Sequence, residues 1–296
     1  MRISSVKWEI NDTCNLHCKY CMAERGSEEL SFNAKCAVID KLHTMEVKHI
    51  DFFGKEPLFN DDIFKLMRYS QSNKYKFLYT FITNGVNLKH FEKDILSSPI
   101  SGFTVSYDGG TGGRDFVVDL EYLPIFVRNN ISVEITVDVH TGNANKICEF
   151  LQQFEDLRLT SAYINPITPI GDLAESIKNN DSISSEKYIE VIEEIIRYKN
   201  KVPNLDIYVY IPFDYPKIIK EILLLPIVNK VNFLPDDKCF AGVDSMFISS
   251  SGIVYGCVNT YYNGIDKYSC DFLNTPIPDI LTSIKATKYR QCVVRP

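Results

Sequence analysis

Along the first two thirds of the chain, short apolar runs alternate with longer segments whose apolar residues recur three and four positions apart. The short runs are Val6–Ile10, His49–Phe53, Tyr79–Thr83, Phe103–Tyr107, Val133–Val139 and Ser161–Pro166. They are rich in β-branched and aromatic side chains and predict strands. The intervening segments 33–46, 61–72, 88–97, 119–129 and 143–156 predict helices, with Asn33, Asn60 and Asn87 at N-cap positions. The clearest helix is 185–199. There Tyr188, Ile192, Ile195 and Ile196 form an apolar stripe, while Glu190, Glu193, Glu194 and Arg197 fall elsewhere.

Six strands alternating with helices imply an α/β fold: parallel strands with right-handed crossovers, as an open sheet or a partial barrel. Ligands are then expected at the C-terminal ends of the strands. After about residue 200 the pattern changes. Asp206–Ile211 predicts a further strand and 216–224 a short apolar helix. Ser245–Ser249 and Ile253–Cys257 predict a hairpin turning at Ser250-Ser251-Gly252. A boundary near residue 224 separates an α/β domain, 1–224, from a small α+β segment, 225–296.

The chain has 296 residues, is 45% hydrophobic and carries a formal net charge of -6. A chain of this length buries enough apolar surface to fold without disulfides. Its charge speaks against a nucleic-acid partner. No apolar run is long enough for a membrane span, and Met1–Trp8 has no signal-peptide core, so a cytoplasmic location is expected. In that compartment nine cysteines point to metal binding or catalysis rather than to disulfides.

Three of them, Cys14, Cys18 and Cys21, follow the first strand in a C-x3-C-x2-C pattern. A tight loop with this spacing can turn three thiolates towards one centre. Cysteine thiolates hold cuboidal [4Fe–4S] clusters, and three protein ligands on four irons leave one iron open. Zinc is the rival, because Cys18 and Cys21 have zinc-knuckle spacing and His17 can add a ligand. A redox-active pair leaves the third cysteine unexplained.

The pattern resembles the signature of radical S-adenosylmethionine enzymes, and further pieces of that family's pattern follow in order. Phe52-Phe53-Gly54-Lys55-Glu56-Pro57 is similar to the GGEP motif, with Lys55 replacing the second glycine. Thr83-Asn84-Gly85 ends the third strand, and Ser106-Tyr107-Asp108-Gly109 is similar to S-x-D-G. The resemblance implies a partial (β/α)6 barrel. It also implies that the backbone of Gly54, Lys55, Glu56 and Pro57 binds the methionine amino group of the cofactor. Tyr20, Asn84, Ser106, Asp108, Thr136 and Asp138 become candidates for the rest of that cofactor, and Asn165 to Pro169 for the adenine. Gly109-Gly110-Thr111-Gly112-Gly113 lacks the ending of a phosphate loop and is read as a mobile loop.

Cys239, Gly252 and Cys257 are spaced as in the opening of the SPASM and twitch extensions of the same family. The continuation is incomplete, because Arg295 stands where a further cysteine belongs after Cys292. The resemblance therefore implies one auxiliary [4Fe–4S] cluster on Cys239, Cys257 and Cys292, with Cys270 or another group as fourth ligand. A degenerate, cluster-free extension and a zinc site are the alternatives. Cys36 and Cys148 fall in helix candidates and are read as core. Family chemistry implies reductive cleavage of S-adenosylmethionine to a 5′-deoxyadenosyl radical, which abstracts hydrogen from a substrate carbon. The expected partners are a flavodoxin- or ferredoxin-type electron donor, and a ribosomally made peptide in preference to a small polyol or aminocyclitol. A separate peptide-recognition protein is a further expected partner. Cys270 is a candidate hydrogen donor should it not be a ligand. A zinc-stapled interaction protein is the reading from another class.

Overall fold

The computed structural model describes residues 2–21, 28–167, 182–211, 231–234, 241–264 and 266–286. In chain order its elements begin with β1 (Ser5–Glu9), α1 (Phe32–Thr44), β2 (His49–Phe53), α2 (Asp62–Ser72), β3 (Leu78–Thr83), α3 (Glu92–Ser97) and β4 (Ile100–Tyr107). Next come α4 (Pro124–Arg128), β5 (Ser132–Val139), α5 (Ile147–Asp156), β6 (Ser161–Pro166), α6 (Ser185–Tyr198), β7 (Asp206–Tyr210) and β8 (Asn232–Leu234). The last are β9 (Ser245–Ile248), β10 (Ile253–Tyr255), α7 (Val258–Tyr262), β11 (Cys270–Asp271) and α8 (Ile277–Ala286). The chain divides into two compact units: residues 1–15, 23–103 and 239–293, and residues 16–22, 104–238 and 294–296.

In the first unit β1 pairs in parallel with β2, and β2 with β3. Successive side chains point to opposite faces. Val6, Trp8, Ile50, Phe52, Tyr79 and Phe81 are buried, with Phe52 stacked on Tyr79 at 5.9 Å between ring centroids and Phe81 on Phe103 at 5.0 Å. The other face is polar. Asp51 accepts from Lys7 Nζ at 2.8 Å and from Thr80 Oγ1 at 2.7 Å, and His49 Nε2 lies 2.8 Å from Thr80 Oγ1. Burial pushes the Asp51 carboxyl up, but Lys7 and the Thr80 hydroxyl outweigh it and hold the group below the usual carboxylate range. This stabilisation is present at neutral pH and lost as pH falls through that lowered value. Lys7→Met is therefore expected to cost about 1–2 kcal/mol at neutral pH, a figure kept small because Lys7 is half-exposed. The gap from wild type in urea midpoint should close as the protein is acidified.

The described residues 241–264 and 266–286 belong to this unit. β9 adds in parallel to β1, with Ser5 opposite Ser245, and β10 and β11 continue antiparallel from it. Gly252, at φ +83°, makes the hairpin turn the sequence predicts. The returning strand is shorter than expected: it ends at Tyr255, and Cys257 is the N-cap of α7, which the sequence did not show.

In the second unit β5, β6, β7 and β8 are consecutive parallel neighbours. Ile135, Val137, Ala162, Ile164, Ile207 and Val209 are buried. The alternation of parallel strands and helices bears out the α/β expectation, with local corrections. The cap of α1 is Ser31, whose side chain accepts from Ala34 N, and not Asn33. Asn60 is not the N-cap of α2 either: Asp61 holds that position, and Asn60, one residue further out, accepts from Asp62 N through Oδ1 at 3.0 Å. Asn87 instead donates to Leu58 O at 2.7 Å, and α3 starts only at Glu92. The expected helix 119–129 is a 3-10 turn, Leu120–Tyr122, followed by α4, because Pro124 has no N–H to continue a helix. Cys36 and Cys148 lie in α1 and α5 but are half-buried rather than core. Burial pushes the Cys148 thiol up to about 11. The expected helix 216–224 lies outside the described residues.

Candidate functional site

In the first unit the C-terminal ends of β1, β2 and β3 are tied together by Glu56. Its side chain is fully buried. Oε1 accepts from Leu58 N at 2.9 Å and from Thr83 Oγ1 at 2.7 Å, and Oε2 accepts from Asn84 N at 2.7 Å. Asn11 donates its side-chain amide to Glu56 O at 2.8 Å. Asn84 Nδ2 donates to Asn15 Oδ1 at 2.7 Å and points at Cys14 Sγ from 3.7 Å. Gly54, Lys55, Glu56, Pro57 and Asn84 thus stand with Cys14 at one end of the strands. The sequence motif gives no hint of Asn11 as a member of this group. Its Oδ1 is buried with no hydrogen-bond partner among the described residues, and an acceptor so placed fits a ligand carrying N–H donors.

In the second unit Cys18 and Cys21 share a tight turn, Cys21 N donating to Cys18 O at 3.2 Å. Lys19 N donates to Gly113 O at 3.0 Å, and His17 N to Asp115 Oδ2 at 3.1 Å. The glycine run after β4 is not the mobile loop expected. It folds around Asp108, whose carboxylate accepts from Gly110 N at 3.0 Å, Arg114 N at 3.1 Å and Tyr20 OH at 3.3 Å. Gly113 has no room for a side chain, since a Cβ there would stand 1.9 Å from the Tyr20 ring. Arg114 lies over the same ring at 5.5 Å and pairs with Asp138 at 3.2 Å. Burial, with Asp138 and Asp108, drives the Tyr20 hydroxyl far above its ordinary range despite Arg114, so Tyr20 stays protonated. Asn165 donates to Thr136 Oγ1 at 2.8 Å across β5 and β6. Ser106 lies on β4, half-buried. Arg114 and His140, whose ring is 5.7 Å from Tyr20, were missed in the sequence, where nothing marks them out.

The donor chemistry of Cys14, Cys18 and Cys21 fits an iron–sulfur cluster: three half-buried thiols outside any disulfide, with no carboxylate between them in the sequence. Among the described residues no three His, Cys, Asp or Glu side chains are drawn together as a ready metal group. Cys257 and Cys270 are half-buried in the first unit, and burial pushes the Cys270 thiol up. Cys239, Cys292, Thr168 and Pro169 lie outside the described residues. No helix among the described residues is long and apolar enough to cross a membrane.

No protein-family model matches the sequence. The chain is similar to the AdoMet-dependent heme synthase of Oleidesulfovibrio alaskensis, with 25% identity over 85% of this chain and 69% of that protein. It is also similar to the GTP 3',8-cyclase of Staphylococcus carnosus, with 25% identity over 55% of this chain and 54% of that one. Its fold matches SuiB of Streptococcus suis, solved bound to the precursor peptide SuiA, at a TM-score of 0.74 and 14% identity, over 99% of this chain and 70% of SuiB. These relatives are radical S-adenosylmethionine enzymes, and the shared fold is their partial barrel of parallel strands. With the cysteine loop after β1 and the Glu56 knot at the ends of β2 and β3, this chain is a radical S-adenosylmethionine enzyme.

Proposed function

We propose that the chain modifies a ribosomally synthesised peptide, by crosslinking, thioether formation or epimerisation, using S-adenosylmethionine and a [4Fe–4S] cluster on Cys14, Cys18 and Cys21. The observation that carries this reading is the Glu56 knot, which aligns the Gly54–Pro57 motif with Asn84 and, through Asn84, with Cys14. When bound, the cluster and S-adenosylmethionine supply a 5′-deoxyadenosyl radical that removes a hydrogen atom from a substrate carbon. The protein's part is orientation and exclusion of competing reactants. Gly54–Pro57 offers backbone groups and Asn11 Oδ1 an unpaired acceptor to the cofactor's amino group. Asp108, Thr136, Asp138 and Asn165, on or next to β4, β5 and β6, and Tyr20 in the cysteine loop present polar atoms for the cofactor's carboxylate, ribose and adenine. Residues 225–296 form a twitch-like extension holding one auxiliary [4Fe–4S] cluster on Cys239, Cys257 and Cys292, with Cys270 as fourth ligand. A flavodoxin- or ferredoxin-type protein supplies the electron, a separate protein recognises the peptide, and the chain works in the cytoplasm.

The peptide substrate draws on the fold shared with SuiB, which was solved with a precursor peptide. A second reading, oxidation of a small polyol or aminocyclitol, is favoured by the hydrogen-bonding face of Lys7, Asp51 and Thr80. The test is anaerobic turnover with reductant, S-adenosylmethionine and either peptides encoded beside the gene or a panel of polyols. 5′-Deoxyadenosine formation coupled to a mass change in a peptide supports the first reading, and coupling to polyol oxidation replaces it with the second. Colourless, zinc-loaded protein that forms no 5′-deoxyadenosine removes both.

A further inference from the structure

Position 55 is a lysine where the resembled motif has glycine, and its side chain is only 1% exposed. The ammonium faces two carboxylates, Glu9 at 3.7 Å and Asp12 in direct hydrogen-bond contact. Glu9 is itself fully buried. Its Oε2 accepts from the backbone N–H of Ser250 at 3.2 Å and from Tyr261 OH at 3.1 Å, and its Oε1 from Tyr262 OH at 3.3 Å. Glu9 also forms the floor beneath Gly54, which has φ +109° and where a Cβ would stand 2.4 Å from Glu9 Cγ. One buried carboxylate is therefore touched by the β9–β10 turn, by the helix that starts directly after Cys257, and by the Gly54–Lys55 loop. Lys55 carries the contact on to Asp12, two residues before Cys14.

We propose that Tyr261 and Tyr262, Glu9 and Lys55 form a positioning chain that runs from the helix after Cys257 to the start of the cysteine loop and sets the placement of Asp12 and Cys14. A buried carboxylate keeps its place by the donors that surround it. Glu9 has donors from both sides, so a change in α7 moves the group on which Gly54 rests and to which Lys55 is bound. The lysine has replaced the conformational freedom of a second glycine with an ionic tether. The chain explains why α7, remote in sequence from the cofactor motif, is anchored on its floor. It rests on contacts within the first unit alone.

The test uses the Tyr261→Phe/Tyr262→Phe double variant, which removes two hydroxyls and leaves the rings packed, together with Lys55→Met. In the metal-free protein the double variant is expected to speed alkylation of Cys14 about three- to tenfold with Cys148 little changed, and to lower the melting temperature by a few degrees because the buried Glu9 carboxylate loses two donors. Lys55→Met should act in the same direction and more strongly. In the iron-loaded enzyme the double variant is expected to raise KM for S-adenosylmethionine by a similar factor, with kcat within about twofold. Unchanged Cys14 alkylation in the double variant overturns the proposal, as does equal acceleration at every cysteine. Faster alkylation with an unchanged KM also overturns it, by confining the effect to the unloaded chain. Should Lys55→Met fail to fold, the double variant decides alone. A wild-type protein that takes up no iron removes the cluster assignment and leaves this proposal to be judged on alkylation.

Discussion

Replacing Cys14, Cys18 and Cys21 together by alanine is expected to lower the iron content of anaerobically reconstituted protein by about four atoms per chain. It should also abolish 5′-deoxyadenosine formation, while the fold remains. The three residues lie in a loop beyond the end of β1 and contribute little to the core, being half-buried. Far-ultraviolet circular dichroism and the melting temperature should therefore stay close to wild type, which separates loss of the metal from loss of structure. Starting content distinguishes one cluster from two. A fall from about eight irons to about four indicates an auxiliary cluster that survives the substitution, and a fall from about four to none indicates a single cluster. Iron content unaffected by the triple substitution would remove the N-terminal assignment. The opposite substitution, Cys257→Ala with Cys270→Ala, should lower iron only if the extension carries a cluster. Absorbance and sulfide analysis of the same samples exclude zinc, which binds thiolates with no visible colour.

The part of the fold set by local alternation was legible from sequence. His49–Phe53 and Ser161–Pro166 form strands with the expected bounds, because each is a short β-branched or aromatic run between turn-forming residues. The Ser184-capped helix 185–198 was equally plain, its stripe of Tyr188, Ile192, Ile195 and Ile196 being buried as predicted. What failed was set by competition between neighbours. Ser31 and Asn33 both suit an N-cap, and only the side chain of Ser31 meets a free backbone N–H. The glycine run looked mobile because composition says nothing of the Asp108 carboxylate around which it folds. Pairing of β9 with β1 joins opposite ends of the chain, and no local pattern encodes such a contact. The same holds at the site. Gly54, Glu56 and Asn84 could be picked out from the motif order, whereas no motif marked out Glu9. Its donors, Tyr261 and Tyr262, come from a helix whose place beside β1 depends on that long-range pairing.

Glu56→Ala is expected to be among the most destabilising single substitutions at the strand ends, and to weaken cofactor binding as well. The Glu56 carboxylate accepts Leu58 N, Thr83 Oγ1 and Asn84 N in an environment with no solvent exposure. Truncation leaves these donors buried and unpaired, and at about 1–3 kcal/mol for each unsatisfied group a total of roughly 3–5 kcal/mol follows once relaxation is allowed. For a chain of this size the melting temperature should fall by roughly 2–4 °C per kcal/mol. Glu56→Gln separates shape from charge. It fills the same space, but its amide N–H2 must face either the backbone N–H of Asn84 or the pair formed by Leu58 N and Thr83 Oγ1. One donor then opposes another, at a cost of about 1–3 kcal/mol. The side on which the amide settles is read from amide exchange at Asn84 and Leu58. If the Asn84 side loosens, the contact of Asn84 Nδ2 with Cys14 Sγ loosens with it. The glutamine variant should then show weaker S-adenosylmethionine binding while still folding. A glutamine variant that binds the cofactor as wild type does, with a melting temperature unchanged, would mean that Glu56 aligns neither strand end.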